Sequence, residues 1–230
     1  MNPPAGFWRR YAAYSADATA IALLCLPWAW LRVSAALPSL HLGYAQLQQR
    51  LWDLMDASLD SAATPMALLL GWAADPTLRH LLAALAAQLA MLALWLALGV
   101  FAVAAAWFIA SEASPWQASP GKRLLGLRVT DVDGRRCGPG RTALRFFAGV
   151  LSWALLNLGH AMAAFTPGKR ALHDLIAGTR VERAPGAKPA MPPAARGWLW
   201  LQLFAMLATL SWVAMRYLQL LWEASQSGPG

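Results

Sequence analysis

Charge is what this sequence has least of. Asp, Glu, Lys and Arg together make up 13% of its 230 residues, about half the share usual in a soluble domain. That is too little polar surface for a water-soluble chain in which 58% of residues are apolar, so the class is integral membrane protein. Cysteine is nearly missing. Cys25 and Cys137 stand apart, which excludes a disulfide framework or a cysteine-based metal centre, and both read as free thiols. Acid is scarcer than base, 11 Asp and Glu against 19 Lys and Arg, for a formal net charge of +8. In a soluble protein such a surplus would point to nucleic acid. Here no zinc-finger, RNA-recognition or helix-turn-helix signature is present, and the basic residues stand beside apolar runs. The expected partners are therefore the lipid bilayer and its anionic head groups, with a homo-oligomer or a membrane-protein partner as the protein-level alternatives, and not nucleic acid. The sequence also lacks a nucleophile–base pair, a metal-ligand spacing and a cofactor fingerprint. The expectation is a protein that is not an enzyme and uses neither cofactor nor metal.

What is present is apolar length. Four blocks, 11–37, 81–109, 143–165 and 198–222, each approach or exceed the ~20 residues a spanning helix needs. The 13 Trp residues fit a chain with two membrane interfaces. The first block reads as an uncleaved membrane helix and not a signal peptide, because Asp17 interrupts it and no small-residue cleavage site follows. The segment 38–79 is mixed, with Asp53, Asp56, Asp60 and Asp75 against Arg50 and Arg79. Residues 44–60 within it have helical periodicity and predict an amphipathic helix lying on the membrane. Alternation over 126–132, ended by Asp133-Gly134, predicts a short strand, and 178–183 is able to pair with it. The fold expected is all-α and membrane-embedded, with a small cytoplasmic β-pair.

Basic residues orient the blocks. Arg9 and Arg10 precede block one, so the N-terminus is expected on the cytoplasmic side of the inner membrane. The Asp-rich 38–79 segment then lies outside, and the basic 110–145 loop inside. Segment 166–197 is basic as well, with Lys169, Arg170, Arg180, Arg183, Lys188 and Arg196. A single crossing by block three would put it outside, against the rule. The charge pattern favours a block three that is bent or re-entrant, with Asn157, Gly159 and His160 able to make the bend. Block four then carries the chain outward.

One short motif occurs twice, Ser-Pro-Gly-Lys-Arg at 119–123 and Thr-Pro-Gly-Lys-Arg at 166–170. Neither copy has the upstream Gly or the following Ser or Thr of a Walker phosphate loop. Ser119 and Thr166 suit a helix N-cap, and Pro120 and Pro167 the first helical position. Lys122, Arg123, Lys169 and Arg170 would then face the wrong end of a helix dipole. They make sense beside an anion: lipid phosphate, Glu112, Asp17 or Asp174.

Asp17 sits within an apolar block, where a carboxylate costs roughly 2.5–3.5 kcal/mol at the helix centre. It reads either as a structural or headgroup-wetted charge or as an ion or proton ligand. Arg10, seven residues earlier, shares its helix face at an axial offset of about 10 Å, so each is expected to meet a partner on another element. Asp174 reads as a carboxylate paired with a nearby Arg or Lys, or as a gate or proton relay with His173. His160 reads as a core histidine or, as the alternative, a ligand. Glu112 reads as a solvated or headgroup-level carboxylate that could also receive Arg10 or Lys122.

Three of these pieces, "RRYAAYSADATAIALL", "WQASPGKRLLGLRVTDVDG" and "KRALHDLIAGTRV", resemble in their order and spacing the RDD family of membrane proteins. The family is named for one Arg and two Asp, which fall here on Arg10, Asp17 and Asp174. The resemblance covers about 6–184. It leaves 38–79 as a non-cytoplasmic insertion, 185–197 as a proline-rich linker and 198–222 as an added helix. It implies a mostly bacterial, multi-pass membrane protein, with transport of an unknown ligand or exchange of cations and protons as the suggested activities. The alternative is a membrane scaffold in which the same charges are structural.

Overall fold

The computed structural model describes residues 3–59, 63–155 and 158–226. Asp60 and Asn157, both used in the sequence reading, lie outside them. In chain order the elements are α1 (Phe7–Leu59), α2 (Pro65–Ala74), α3 (Pro76–Ala113), α4 (Pro120–Leu124), β1 (Leu127–Asp131), α5 (Pro139–Ala154), α6 (Leu158–Ala161), α7 (Leu172–Ile176), β2 (Thr179–Arg183) and α8 (Pro193–Gln226). Single 3-10 turns occupy Met162–Ala164 and Pro167–Lys169. Helices α1, α3 and α8 are long and apolar enough to cross a membrane.

Block one and the described part of the amphipathic segment, 44–59, are one helix, not two. The 53 residues of α1 run through Pro27 and Pro38 and reach about 80 Å, well beyond a hydrocarbon core of about 30 Å. A proline forfeits one backbone hydrogen bond, but where no water competes for the others a helix tolerates the loss. Pro38 therefore did not mark the boundary that the change in composition implied. At the other end of the chain, α8 begins at Pro193 and takes in the last residues of the proline-rich linker.

The chain divides into two compact units, one holding residues up to Thr19 and from Ala105 onward, the other Ala20–Ala104. In the second unit, Thr64 caps α2 by accepting from the Ala67 amide. Asp75 accepts from the Leu78 amide at 2.6 Å and from the Arg50 guanidinium at 2.6 and 3.2 Å. Gly99 lets α3 approach the Trp28 ring so closely that a Cβ would stand 2.2 Å from it.

The first unit is organised by the β-pair. β1 and β2 are antiparallel, with Leu127 opposite Arg183, Val129 opposite Val181 and Asp131 opposite Thr179. The N-terminal segment adds to the outer edge of β2, where the Ala5 amide donates to Val181 O at 3.1 Å and Pro4 bridges Glu182. Leu127, Val129 and Val181 form a buried core with Cys137, Ala12, Ala13 and Ala195, against which Trp198 and Leu199 pack. The Asp133-Gly134 turn signal is real, with Gly134 at φ +84°, but the strand partner lies about fifty residues further on.

This pairing decides the path of block three. Strands β1 and β2 flank it in sequence and are bonded to one another, so the chain must return to the side it left. It does so through α5 and the α6 turn, which meet at 114°. Among the described residues, three helices of spanning length, one bent pair and the shorter α2 make up the apolar architecture.

Candidate functional site

Asp17 is fully hydrogen-bonded and 1% exposed. Its Oδ2 accepts the Ser119 hydroxyl at 2.5 Å, and its Oδ1 accepts the Gly121 amide at 2.8 Å and the Trp107 indole N–H at 3.1 Å. No cation takes part in these bonds. The first Pro-Gly-Lys-Arg copy thus does begin a helix at Pro120, but Ser119 spends its hydroxyl on Asp17 and makes no side-chain cap. Gly121 is fixed by the same contact. A Cβ there would lie 2.4 Å from Ala13 O and 2.9 Å from the Asp17 carboxylate.

The second copy is built differently. Thr166 does not cap a helix, and its hydroxyl donates to Arg170 O at 2.6 Å. Gly168 at φ +76° and Lys169 at φ +53° turn the chain through the left-handed region, which a glycine adopts without strain. The next helix, α7, starts only at Leu172, and Asp174 closes its first turn by accepting the Ala171 amide at 3.0 Å. Lys169 is exposed and Arg170 half-buried. Arg123 lies 4.2 Å from the centre of the Trp116 ring, a cation–π contact suited to a membrane interface.

The charges converge on α3, α5 and α7. Asp174 is wholly buried and takes two guanidinium groups, Arg10 on Oδ2 and Arg145 on Oδ1. Arg145 also donates from Nε to Glu112 Oε2 at 3.0 Å and from Nη1 to the Thr179 hydroxyl at 3.1 Å. Glu112 accepts Lys122 Nζ on its other oxygen at 2.5 Å. Arg10 completes its fork on Lys169 O. Glu112 is 3% exposed, so it is not the solvated carboxylate expected at a helix end. The nearby Lys122 and Arg145 make its burial tolerable.

A cavity of about 700 Å³ lies against this network, within the size range of small-molecule sites. Arg10, Lys122, Arg145 and Glu112 line it together with His160 and His173. The rings of His160 and His173 are 4.8 Å apart, and each Nδ1 is buried without a hydrogen-bond partner among the described residues. Burial and the neighbouring Arg145, His160, Arg10 and Lys122 hold His173 well below the usual histidine range. The remaining wall is mostly apolar and aromatic, with Tyr14 and Phe108 on α1 and α3 and Phe146 and Trp153 on α5, and is polar at Ser15, Thr19 and Gln202. Asp17 is not among the lining residues. No three His, Cys, Asp or Glu side chains of the described residues converge as a metal ion would require.

The residues singled out from sequence therefore separate into two places. Arg10 and Asp174 are bonded to one another, with Lys122, Glu112, His160 and His173 beside them. Asp17 stands apart with neutral donors. The sequence reading missed Arg145, counted only as a loop charge, although it links both buried carboxylates. The available signal was its spacing of four from Gly149 and eight from Trp153, which puts all three on one face of α5. Arg9, taken as an orientation signal, is buried and donates to Leu125 O and Lys188 O, both at 2.8 Å.

A family model described as RDD family matches residues 4–178. A segment of 69 residues is 42% identical to the uncharacterized protein YxaI of Bacillus subtilis (strain 168), covering 30% of this chain and 45% of that protein. The chain thus spans under half the length of this curated relative. No solved structure matches.

Proposed function

The chain belongs to the RDD family, and on that premise we propose that it is a membrane carrier whose ligand site is the cavity beside the Arg10–Asp174–Arg145–Glu112 network. One observation carries the reading: charged groups on three long elements are gathered against a cavity of ligand size whose other walls are mostly apolar. A purely structural network would have no need of that space. Asp17, by contrast, has its lone pairs occupied by three donors and offers a free cation little to bind. The basic face carrying the β-pair is cytoplasmic in this reading, by the positive-inside rule.

The test is charge movement in proteoliposomes on a solid-supported membrane, with steps of pH, sodium and small organic anions as probes. Gly149 lines the cavity and has open space at its Cβ position, so Gly149→Trp plugs the site without touching the charges. Protein-dependent currents lost in Gly149→Trp and kept in Asp17→Asn support the carrier. Currents lost in Asp17→Asn and kept in Gly149→Trp would move the site to Asp17. Absence of protein-dependent current with every probe would sink the carrier reading.

A scaffold role draws on α8. Beyond Gln202 this helix is exposed through Gln226, leaving a long apolar surface for lipid or for a partner helix. Photo-crosslinking from Leu210 in native membranes separates the two: a stoichiometric protein adduct supports the scaffold, and lipid adducts alone count against it.

A further inference from the structure

The cavity carries a charge imbalance. In the ion-pair network beside it, three cations, Arg10, Lys122 and Arg145, bond to two carboxylates, Glu112 on the cavity wall and Asp174 behind it, so one positive charge is left over before either histidine is counted. Asp17 bonds to none of these three cations, because its own hydrogen bonds come from neutral groups. An uncompensated charge in a low-dielectric site is costly, and a monoanion in the cavity removes that cost. Hydrogen-bonding capacity is in surplus too. His173 is 7% exposed, and its Nδ1 has no partner among the described residues, as is the case for His160 Nδ1.

The polar and apolar parts are ordered along the helices. On α1 the lining starts at Phe7, carries its charge at Arg10 and runs on through Tyr14 and Ser15 to Ala18 and Thr19. On α5 it begins with Arg145 and runs on through Phe146 and Gly149 to Trp153. Eight residues of helix extend about 12 Å, so the charged end is followed on both helices by an uncharged, mostly apolar channel of that length, with Ser15 and Thr19 its polar groups on α1. This layout matches a molecule with a single negative charge at one end and a hydrocarbon chain at the other.

We propose that the cavity binds a monoanionic amphiphile, its phosphate or carboxylate head on Lys122, Arg145 and the two histidines and its tail along the aromatic face of α1 and α5. The inference rests on the assignment of the ligand site to this cavity and supplies its substrate class.

The experiment is native mass spectrometry of the full chain, purified and delipidated in a non-ionic detergent, titrated with dioleoyl phosphatidylglycerol, oleate, dioleoyl phosphatidylcholine and inorganic phosphate. One phosphatidylglycerol or oleate per chain is expected, at concentrations where phosphatidylcholine does not bind. Phosphatidylglycerol alone identifies a resident lipid as the source, whereas oleate as well identifies free amphiphilic acids. Lys122→Met cancels the surplus charge and is expected to weaken binding about tenfold or more. Glu112→Gln enlarges the surplus and is expected to tighten it. The opposite signs distinguish ligand recognition from simple loss of structure, and Gly149→Trp blocks binding with every charge retained should Lys122→Met not fold. Equal binding of phosphatidylcholine, binding of inorganic phosphate alone, or unchanged affinity in the charge variants would overturn the proposal. Binding without charge movement in proteoliposomes removes the carrier and leaves the ligand class standing. Cavity-dependent currents without amphiphile binding do the reverse.

Discussion

Ser119 gives its hydroxyl to Asp17 across 2.5 Å, and the two residues are 102 positions apart in the chain. This contact fastens the loop after α3 to the first helix and uses an intramembrane carboxylate as a hydrogen-bond acceptor rather than as half of an ion pair. Asp17→Asn keeps an acceptor for Trp107 and Gly121 and an amide able to donate to the Ser119 oxygen. Asp17→Ala strands all three donors, at about 1–3 kcal/mol for each buried group left unpaired. Thermal unfolding in detergent should show a small shift for Asn and a large one for Ala. Equal shifts would mean that charge, not hydrogen bonding, matters at this position.

Gly121 and Gly168 occupy the same place in the repeated motif for different reasons. Gly121→Ala forces a methyl into Ala13 O and the Asp17 carboxylate and should cost about 1–3 kcal/mol as overpacking. Gly168 has nothing within 4 Å of a would-be Cβ but sits at φ +76°, so Gly168→Ala should cost about 1 kcal/mol from backbone strain. Gly168→Asn, which tolerates that conformation better, should recover part of the loss. Gly121→Asn should not recover any of it. Melting temperatures of the four variants provide the check.

Arg145 joins Asp174 and Glu112, so Arg145→Met should be the most damaging single change in the network, at about 3–5 kcal/mol. Lys122→Met leaves Glu112 its bond to Arg145 and should cost less. A double-mutant cycle between Arg145 and Asp174 should return a large coupling energy. Strict additivity would contradict the pairing.

His173 is held neutral by burial and by Arg145, His160, Arg10 and Lys122. Its pKa in the fold is below that of the unfolded chain, about 6.5, so the unfolded chain binds the extra proton first. Stability is full above that pH and falls as pH drops below it. The melting temperature should therefore decline from pH 7.5 to 5.5, and His173→Gln should flatten that part of the profile. Acidification that left the wild type unchanged would show that His173 is not held neutral.

The return of block three predicts that residues on either side of it face one compartment. Cys25 and Cys137 are buried, so single cysteines introduced as Asp133→Cys and Lys188→Cys, both at exposed positions, should report accessibility. Both should react with a membrane-impermeant maleimide in inverted vesicles, and neither in intact spheroplasts. Opposite reactivity of the two positions would disprove the return. Shared reactivity in spheroplasts would reverse the orientation.

Apolar length and the clustering of base beside it were sufficient to locate the long apolar helices and to favour a block three that turns back, because hydropathy and loop charge are properties of a contiguous segment. The same reasoning misplaced the end of α1. Pro38 and a fall in hydropathy look like a boundary locally, whereas the backbone hydrogen bonds around them sustain one helix to Leu59. Pairing was decided by tertiary structure alone. Arg10 meets Asp174 and Arg145 meets Glu112 over separations of 164 and 33 residues, and no pattern within a segment specifies which cation reaches which carboxylate. The three charges picked out by sequence thus read as one set, but the fold divides them. Arg10 borders a cavity with Asp174 bonded behind it, and Asp17 holds a loop through neutral donors. Only the packing of α1, α3 and α5 around the β-pair determines where buried charge is balanced and where an unmatched positive charge faces open space.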